Sequence, residues 1–147
     1  MAQSTSLIGK LYRAETGQLF VAVDAAANDS DKTITVPAGQ TWHVENLFVT
    51  LATSADVGNR QLTVIISDGT NTLGNYNALA VQTASTTEYY NFAPYYGTAT
   101  ETPAGRFCTP MPVFILGPAW TIRVYDSAAV AAAADDMTVA VTGITYY

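Results

Sequence analysis

Apolar and polar residues alternate with a period of two along much of this chain, the spacing of strands that bury one face. Leu19, Val21 and Val23 alternate in Q-L-F-V-A-V-D, and Leu62, Val64 and Ile66 point one way while Gln61, Thr63 and Ser67 point the other. Trp120, Ile122 and Val124 alternate with Thr121, Arg123 and Tyr125; Met137, Val139 and Val141 do so with Thr138, Ala140 and Thr142. These four runs predict a dozen inward side chains. A longer run from Thr41 changes phase, since Trp42 and Val44 share one parity and Leu47, Val49 and Leu51 the other. Such a change turns every later side chain to the opposite face unless a bulge resets it. The pattern therefore predicts a bulge near Glu45-Asn46. Burial on both faces is the alternative, because Phe48 lies in the same run.

Turn residues divide the runs. Pro37-Ala38-Gly39 precedes Trp42, Gly58-Asn59 precedes the run from Arg60, and Asp68-Gly69 is a strong hairpin signal. Pro103, Pro110, Pro112 and Pro118 bracket a short strand at Val113 to Leu116, which such neighbours confine to an edge or to strand ends. Thr86 to Phe92 reads as a further strand. The alanine-rich run Ser127 to Ala134 is too short to hold as an isolated helix. It reads as a surface loop with at most one helical turn, closed by a solvated turn at Asp135-Asp136. About eight strands with no repeat and no linker predict an all-β fold, an antiparallel β-sandwich of jelly-roll type. The long connection Ala93 to Pro110 and the lack of a cysteine pair weigh against an immunoglobulin sandwich. Residues 1–16, with Leu7, Ile8, Leu11 and Tyr12, read as an extended N-terminal arm, and residues 17–147 as one domain.

Composition narrows the partners. Hydrophobic residues make up 49% of the 147 and charged residues 12%, about half the ~25% of an ordinary domain. Two readings stay open: surface covered by a partner or by copies of the chain, or a neutral Thr/Ser/Asn-rich β surface. Net charge is −6, and Lys10, Arg13, Lys32, Arg60, Arg106 and Arg123 are scattered singly. No stripe tracks phosphates, so direct nucleic-acid binding is not expected. No apolar run approaches the ~20 residues of a spanning helix, so a membrane partner is not expected either. The N-terminus lacks the basic start and apolar stretch of a signal peptide, which predicts synthesis in the cytoplasm. Cys108, the single cysteine, excludes an internal disulfide and reads as a small buried or half-buried hydrophobe.

Candidate chemistry is sparse. His43 is the only histidine; Glu45 shares its strand parity, but two groups do not complete a metal site or a catalytic triad. Asp29 and Asp31 in A-N-D-S-D-K look like part of a calcium loop, without its glycine and terminal glutamate. Nucleophile elbows, zinc motifs, P-loops and dinucleotide fingerprints are all missing. The expectation is a protein that is not an enzyme, with no catalytic residue, metal ligand or cofactor. Aromatic residues carry more information. Tyr89-Tyr90, Tyr95-Tyr96 and Tyr146-Tyr147 are adjacent pairs, and neighbours on a strand point to opposite faces. One ring of each pair is therefore offered to solvent or a partner. Use at a protein interface is favoured over sugar binding, because no acidic or amide groups cluster beside the pairs in sequence. With the arm residues Leu7, Ile8, Leu11 and Tyr12, these six tyrosines form the candidate interface.

The pattern V-P-A-G-Q-T-W, followed by a β-run into T-S-A-D-V-G-N-R-Q-L and then I-I-S-D-G-T, covers Thr35 to Thr70. It resembles the capsid decoration, or cement, proteins of tailed bacteriophages that are built on a jelly-roll sandwich. The resemblance spans roughly a quarter of the chain and is a fold signature. It implies a virion structural protein that sits as a homo-oligomer on the outer capsid surface, its two- or three-fold symmetry open. There it would bind the major capsid protein and stabilise contacts between neighbouring subunits. The alternative is a receptor- or glycan-binding domain of a phage tail or head fibre, with the tyrosine pairs as its platform.

Overall fold

The alternating runs become the strands of two stacked sheets in a computed structural model that describes residues 17–101, 103–126 and 130–147. In chain order the strands are β1 (Gln18–Asp24), β2 (Asp31–Thr35), β3 (Thr41–Ala52), β4 (Leu62–Ser67), β5 (Thr72–Asn77), β6 (Thr87–Ala93), β7 (Thr100–Glu101), β8 (Arg106–Pro110), β9 (Phe114–Leu116), β10 (Thr121–Asp126) and β11 (Asp136–Tyr146). The larger sheet runs β1-β11-β3-β6-β8-β7, with β9 also paired to β3, and the smaller runs β2-β10-β4-β5. Strands β7, β8 and β9 all lie in the connection between β6 and β10. Without them, four strands in the order β1-β11-β3-β6 face four in the order β2-β10-β4-β5, which is the double Greek key of a jelly roll. The expected strand at Val113 to Leu116 is β9, outside these eight, and β2 is the one of the eight that the sequence pattern did not single out. The pairing departs from a purely antiparallel sandwich at one place, because β8 returns parallel to β6.

The phase change in β3 is a bulge. Thr142 faces Asn46 and Gly143 faces Val44, so Glu45 has no opposite number on β11. The reset lets Trp42 and Val44 before it, and Leu47, Val49 and Leu51 after it, all enter the core. Gly143 is required here: a Cβ at that position would lie 2.0 Å from the His43 carbonyl oxygen. Leu62, Val64, Ile66, Ile122, Val124, Met137, Val139 and Val141 also turn inward as their alternation predicts. The Asp68-Gly69 signal closes the β4–β5 hairpin through a four-residue loop rather than a two-residue one. Asp68 Oδ1 accepts the backbone N–H groups of Thr70 and Asn71 at 2.8 and 2.7 Å, and Gly69 takes φ +94°.

Two expectations are overturned. Leu19, Val21 and Val23 face solvent, at 87%, 68% and 58% exposure. Strand β1 is apolar in both phases, and the core takes Phe20, whose ring stacks on buried Trp42 at 4.3 Å between centroids. Packing, not alternation, selects the phase. Asp135 is not part of a solvated turn either. It is fully buried behind a 3-10 turn at Ala132–Ala134, and its carboxylate accepts Arg60 Nε and Nη2 at 2.7 and 2.9 Å and the Ser54 N–H at 2.7 Å. Arg60, one of the singly scattered cations, is buried with it. Leu7, Ile8, Leu11 and Tyr12 of the expected arm lie outside the described residues.

Candidate functional site on the outer face of the larger sheet

Strand register brings residues distant in sequence into rows across the solvent-facing side of the larger sheet, where directly opposed side chains touch. One row is Leu19, Ile144, His43 and Ile115; another is Val23, Ala140, Phe48, Asn91 and Cys108. Neither contains an Asp, Glu, Lys or Arg. The stripe Leu19-Val21-Val23 is the most exposed part, and it lies on β1, at the sheet's edge. Ile115, at 68% exposure, ends the first row on the far side of β3.

Towards β8 the face changes character. Phe48 and Tyr89 stack loosely, with centroids 6.4 Å apart, and the Arg106 guanidinium lies 5.6 Å from the Tyr89 ring centre. These three side chains, with Asn91, Phe107 and Cys108, line a hollow of about 390 Å³. A second hollow of about 350 Å³ is lined by Glu45, Asn46, Asn91, Ala93, Tyr95, Tyr96 and Thr142. Asn91 belongs to both. Its Nδ2 donates to the Tyr96 hydroxyl at 2.6 Å, while its buried Oδ1 has no hydrogen-bond partner. Interaction with the Cys108 thiol, and then burial, hold the Tyr96 phenol above its ordinary range. The bulge contributes directly, because it places the unpaired residue Glu45 at the rim of the second hollow.

Of the tyrosine pairs only Tyr89-Tyr90 lies within a strand, and its rings separate as strand geometry requires; Tyr95-Tyr96 lies in the turn after β6. Tyr89 is exposed on this face, whereas Tyr90 is fully buried. The Tyr90 hydroxyl is 3.0 Å from Gln82 Oε1 and 2.9 Å from Glu88 Oε2, and burial, reinforced by the Glu88 carboxylate, drives its pKa far upward. Tyr90 is therefore a core residue and leaves the candidate interface. Tyr95 and Tyr96 join Tyr89 around the two hollows, and Tyr147 is exposed at the chain end beside half-buried Tyr146. Sequence reasoning missed Phe48, Asn91, Arg106 and the β1 stripe. The apolar residues in both phases of β1, and Phe48 out of phase in β3, were the available signals.

The Asp29/Asp31 pair meets the protein's own cations. Asp31 Oδ1 accepts Arg123 Nε at 2.8 Å, an interaction that lowers the Asp31 pKa, and Asp29 Oδ1 lies 3.6 Å from Lys32 Nζ. Among the described residues no three His, Cys, Asp or Glu side chains are grouped to hold a metal ion.

No family model matches the sequence, and no curated protein matches it. Among solved structures, the chain is similar to one from infectious bursal disease virus, Gx strain, with a TM-score of 0.42 and 16% identity. The match covers 85% of this chain and 33% of that one, so this chain spans about a third of its length.

Proposed function

We propose that the chain is a structural protein of a virion, a decoration or cement protein on the outside of a tailed-phage head. It acts by binding, without catalysis, and stabilises contacts between major capsid protein subunits. The observation that carries this reading is the apolar stripe Leu19, Val21 and Val23 on the outer face of the larger sheet, the first of them 87% exposed. A domain that works alone in water seldom leaves a contiguous apolar stripe uncovered, and such stripes mark protein contacts. Low overall charge suits a surface that is desolvated on assembly. The motif over Thr35 to Thr70 adds the resemblance to phage cement proteins. Many copies arranged by symmetry, as homo-oligomers on a shell, multiply modest contacts into firm attachment.

Gold labelling of virions with an antibody to the chain tests the placement. Labelling over the whole head in many copies is expected, and labelling confined to the tail overturns the reading. Val21→Asp places a charge at the middle of the stripe, where the side chain already faces water. That variant is expected to fold normally and to fail to attach to heads lacking the protein.

A further inference from the structure

We infer that the paired hollows around Asn91 form a binding site for a neutral saccharide. The inference does not rest on the shell reading, since the β1 stripe and the hollows use different residues of the same face.

Each hollow falls within the size range of small-molecule sites, about 300–1,000 Å³, and they meet at one side chain. The first offers aromatic rings, Phe48 and Tyr89, 40% and 39% exposed. The second offers hydrogen-bonding groups: the Asn46 amide, the Glu45 carboxylate and the Tyr96 hydroxyl. Asn91 sits at the junction with its carbonyl oxygen unpartnered. In sequence only Glu88 and Asn91 flank a tyrosine pair, while Glu45 and Asn46 lie elsewhere in the chain. Strand pairing supplies the cluster by setting Asn91 opposite Phe48, and the bulge adds Glu45.

Ligand classes can be separated by what each would leave unsatisfied. A wholly apolar ligand would strand the amides and the carboxylate without partners, which costs binding energy. An acidic ligand would meet Glu45 and a chain of net charge −6. A pyranose has one face of polarised C–H groups and a rim of hydroxyls that both donate and accept. Its C–H face suits the negative faces of Tyr89 and Phe48. Its hydroxyls suit Asn46, Glu45, the Tyr96 hydroxyl and the Arg106 guanidinium. Two hollows joined at one residue fit two consecutive sugar rings better than one.

The test is titration of the full chain with methyl β-galactoside, methyl α-glucoside, methyl α-mannoside and N-acetylglucosamine, then with their disaccharides, followed by ¹H–¹⁵N correlation spectra. Saturable shifts of the Asn91 side-chain amide are expected with at least one probe, tighter for its disaccharide. Tyr89→Ala is expected to weaken binding about tenfold or more, equal to ~1.4 kcal/mol. Tyr95→Ala alters a ring 79% exposed, so it keeps the test open if the first variant misfolds. Val21→Asp should bind the sugar as well as the parent, which separates failure of the shell reading from failure of this one. Absence of shifts with every probe overturns the inference. So does binding unchanged in both tyrosine variants, or binding confined to sulfated or sialylated glycans or to peptides.

Discussion

The two outer faces of the sandwich solve the same problem in opposite ways. On the smaller sheet the rows are Thr33, Arg123, Ile65 and Asn75, then Asp31, Tyr125, Thr63 and Asn77. Their polar groups satisfy one another. Asp31 pairs with Arg123, Arg123 lies 4.6 Å over the Tyr125 ring centre, and Thr63 donates to Asn77 at 3.0 Å. The larger sheet presents Leu19, Ile144, His43 and Ile115 in the corresponding way, a row that closes no such network. One face is finished by its own side chains and water. The other gains most when something apolar covers it. Fold alone does not set this difference, because both faces belong to one jelly roll with equally regular pairing.

Breaking the joint between the two sheets has the largest expected effect. Arg60 precedes β4 and Asp126 ends β10, both in the smaller sheet; Ser54 follows β3 and Asp135 precedes β11, both in the larger. The buried Arg60–Asp135 pair thus fastens one sheet to the other at the end where the loop before β11 returns. Arg60→Met leaves Asp135 buried and uncompensated, and is expected to cost about 3–5 kcal/mol in urea unfolding. Arg60→Met combined with Asp135→Leu should recover most of that loss, because an apolar pair has no charge to desolvate. If the single variant unfolds like the parent, the sheets are held by the core alone.

A smaller effect appears through pH. Burial raises the pKa of Asp126, the Asp135 charge adds to the rise, and the Ser30 hydroxyl, donating at 2.7 Å, only partly opposes it. Its other carboxylate oxygen is buried without a partner. A raised native pKa means that Asp126 stabilises the fold when protonated, and that this share is lost as pH rises through the native value. Asp135 has the opposite sign. Burial pulls its pKa up, but Arg60 and Ser54 outweigh burial and hold it below 3.8, so its share is present above that value and lost on strong acidification. Asp126→Asn is expected to stabilise the chain by about 1 kcal/mol at neutral pH. It should also abolish the gain in stability that the parent shows as pH falls towards 4. Identical pH profiles for the two would show that Asp126 is solvated in the native state.

The sandwich itself was legible because Leu62, Val64 and Ile66 in β4, Ile122 and Val124 in β10, and Met137, Val139 and Val141 in β11 each keep one phase. Even the bulge could be read, since Leu47 is out of step with Val44 and a bulge lets both enter one core. Strand β1 could not be oriented, because both of its phases are apolar and the deciding contact, Phe20 on Trp42, joins residues far apart in sequence. The buried pair was hidden for a related reason: Arg60 and Asp135 are 75 residues apart, and each looks solvated in its own neighbourhood. Asn91 joined the candidate site only through the register that sets it between Phe48 and Cys108. Interaction faces are written in cross-strand rows, and rows are invisible until pairing is known.

The smallest change in stability carries the sharpest test of the comparison. Replacing Leu19, Val21 and Val23 together by Thr keeps a β-tolerant strand and removes its apolar stripe. Because these side chains already face water, each substitution is expected to shift stability within about 0.5 kcal/mol. Association should respond instead: sedimentation of the parent is expected to show concentration-dependent mass, and that of the triple variant a lighter species. Arg123→Ala on the opposite face should do the reverse, costing about 0.2–1 kcal/mol at low salt, as exposed ion pairs do, with self-association unchanged. A triple variant destabilised by several kcal/mol would mean that the stripe is already covered within a single chain, and the contrast between the two faces would then be one of packing rather than of partners.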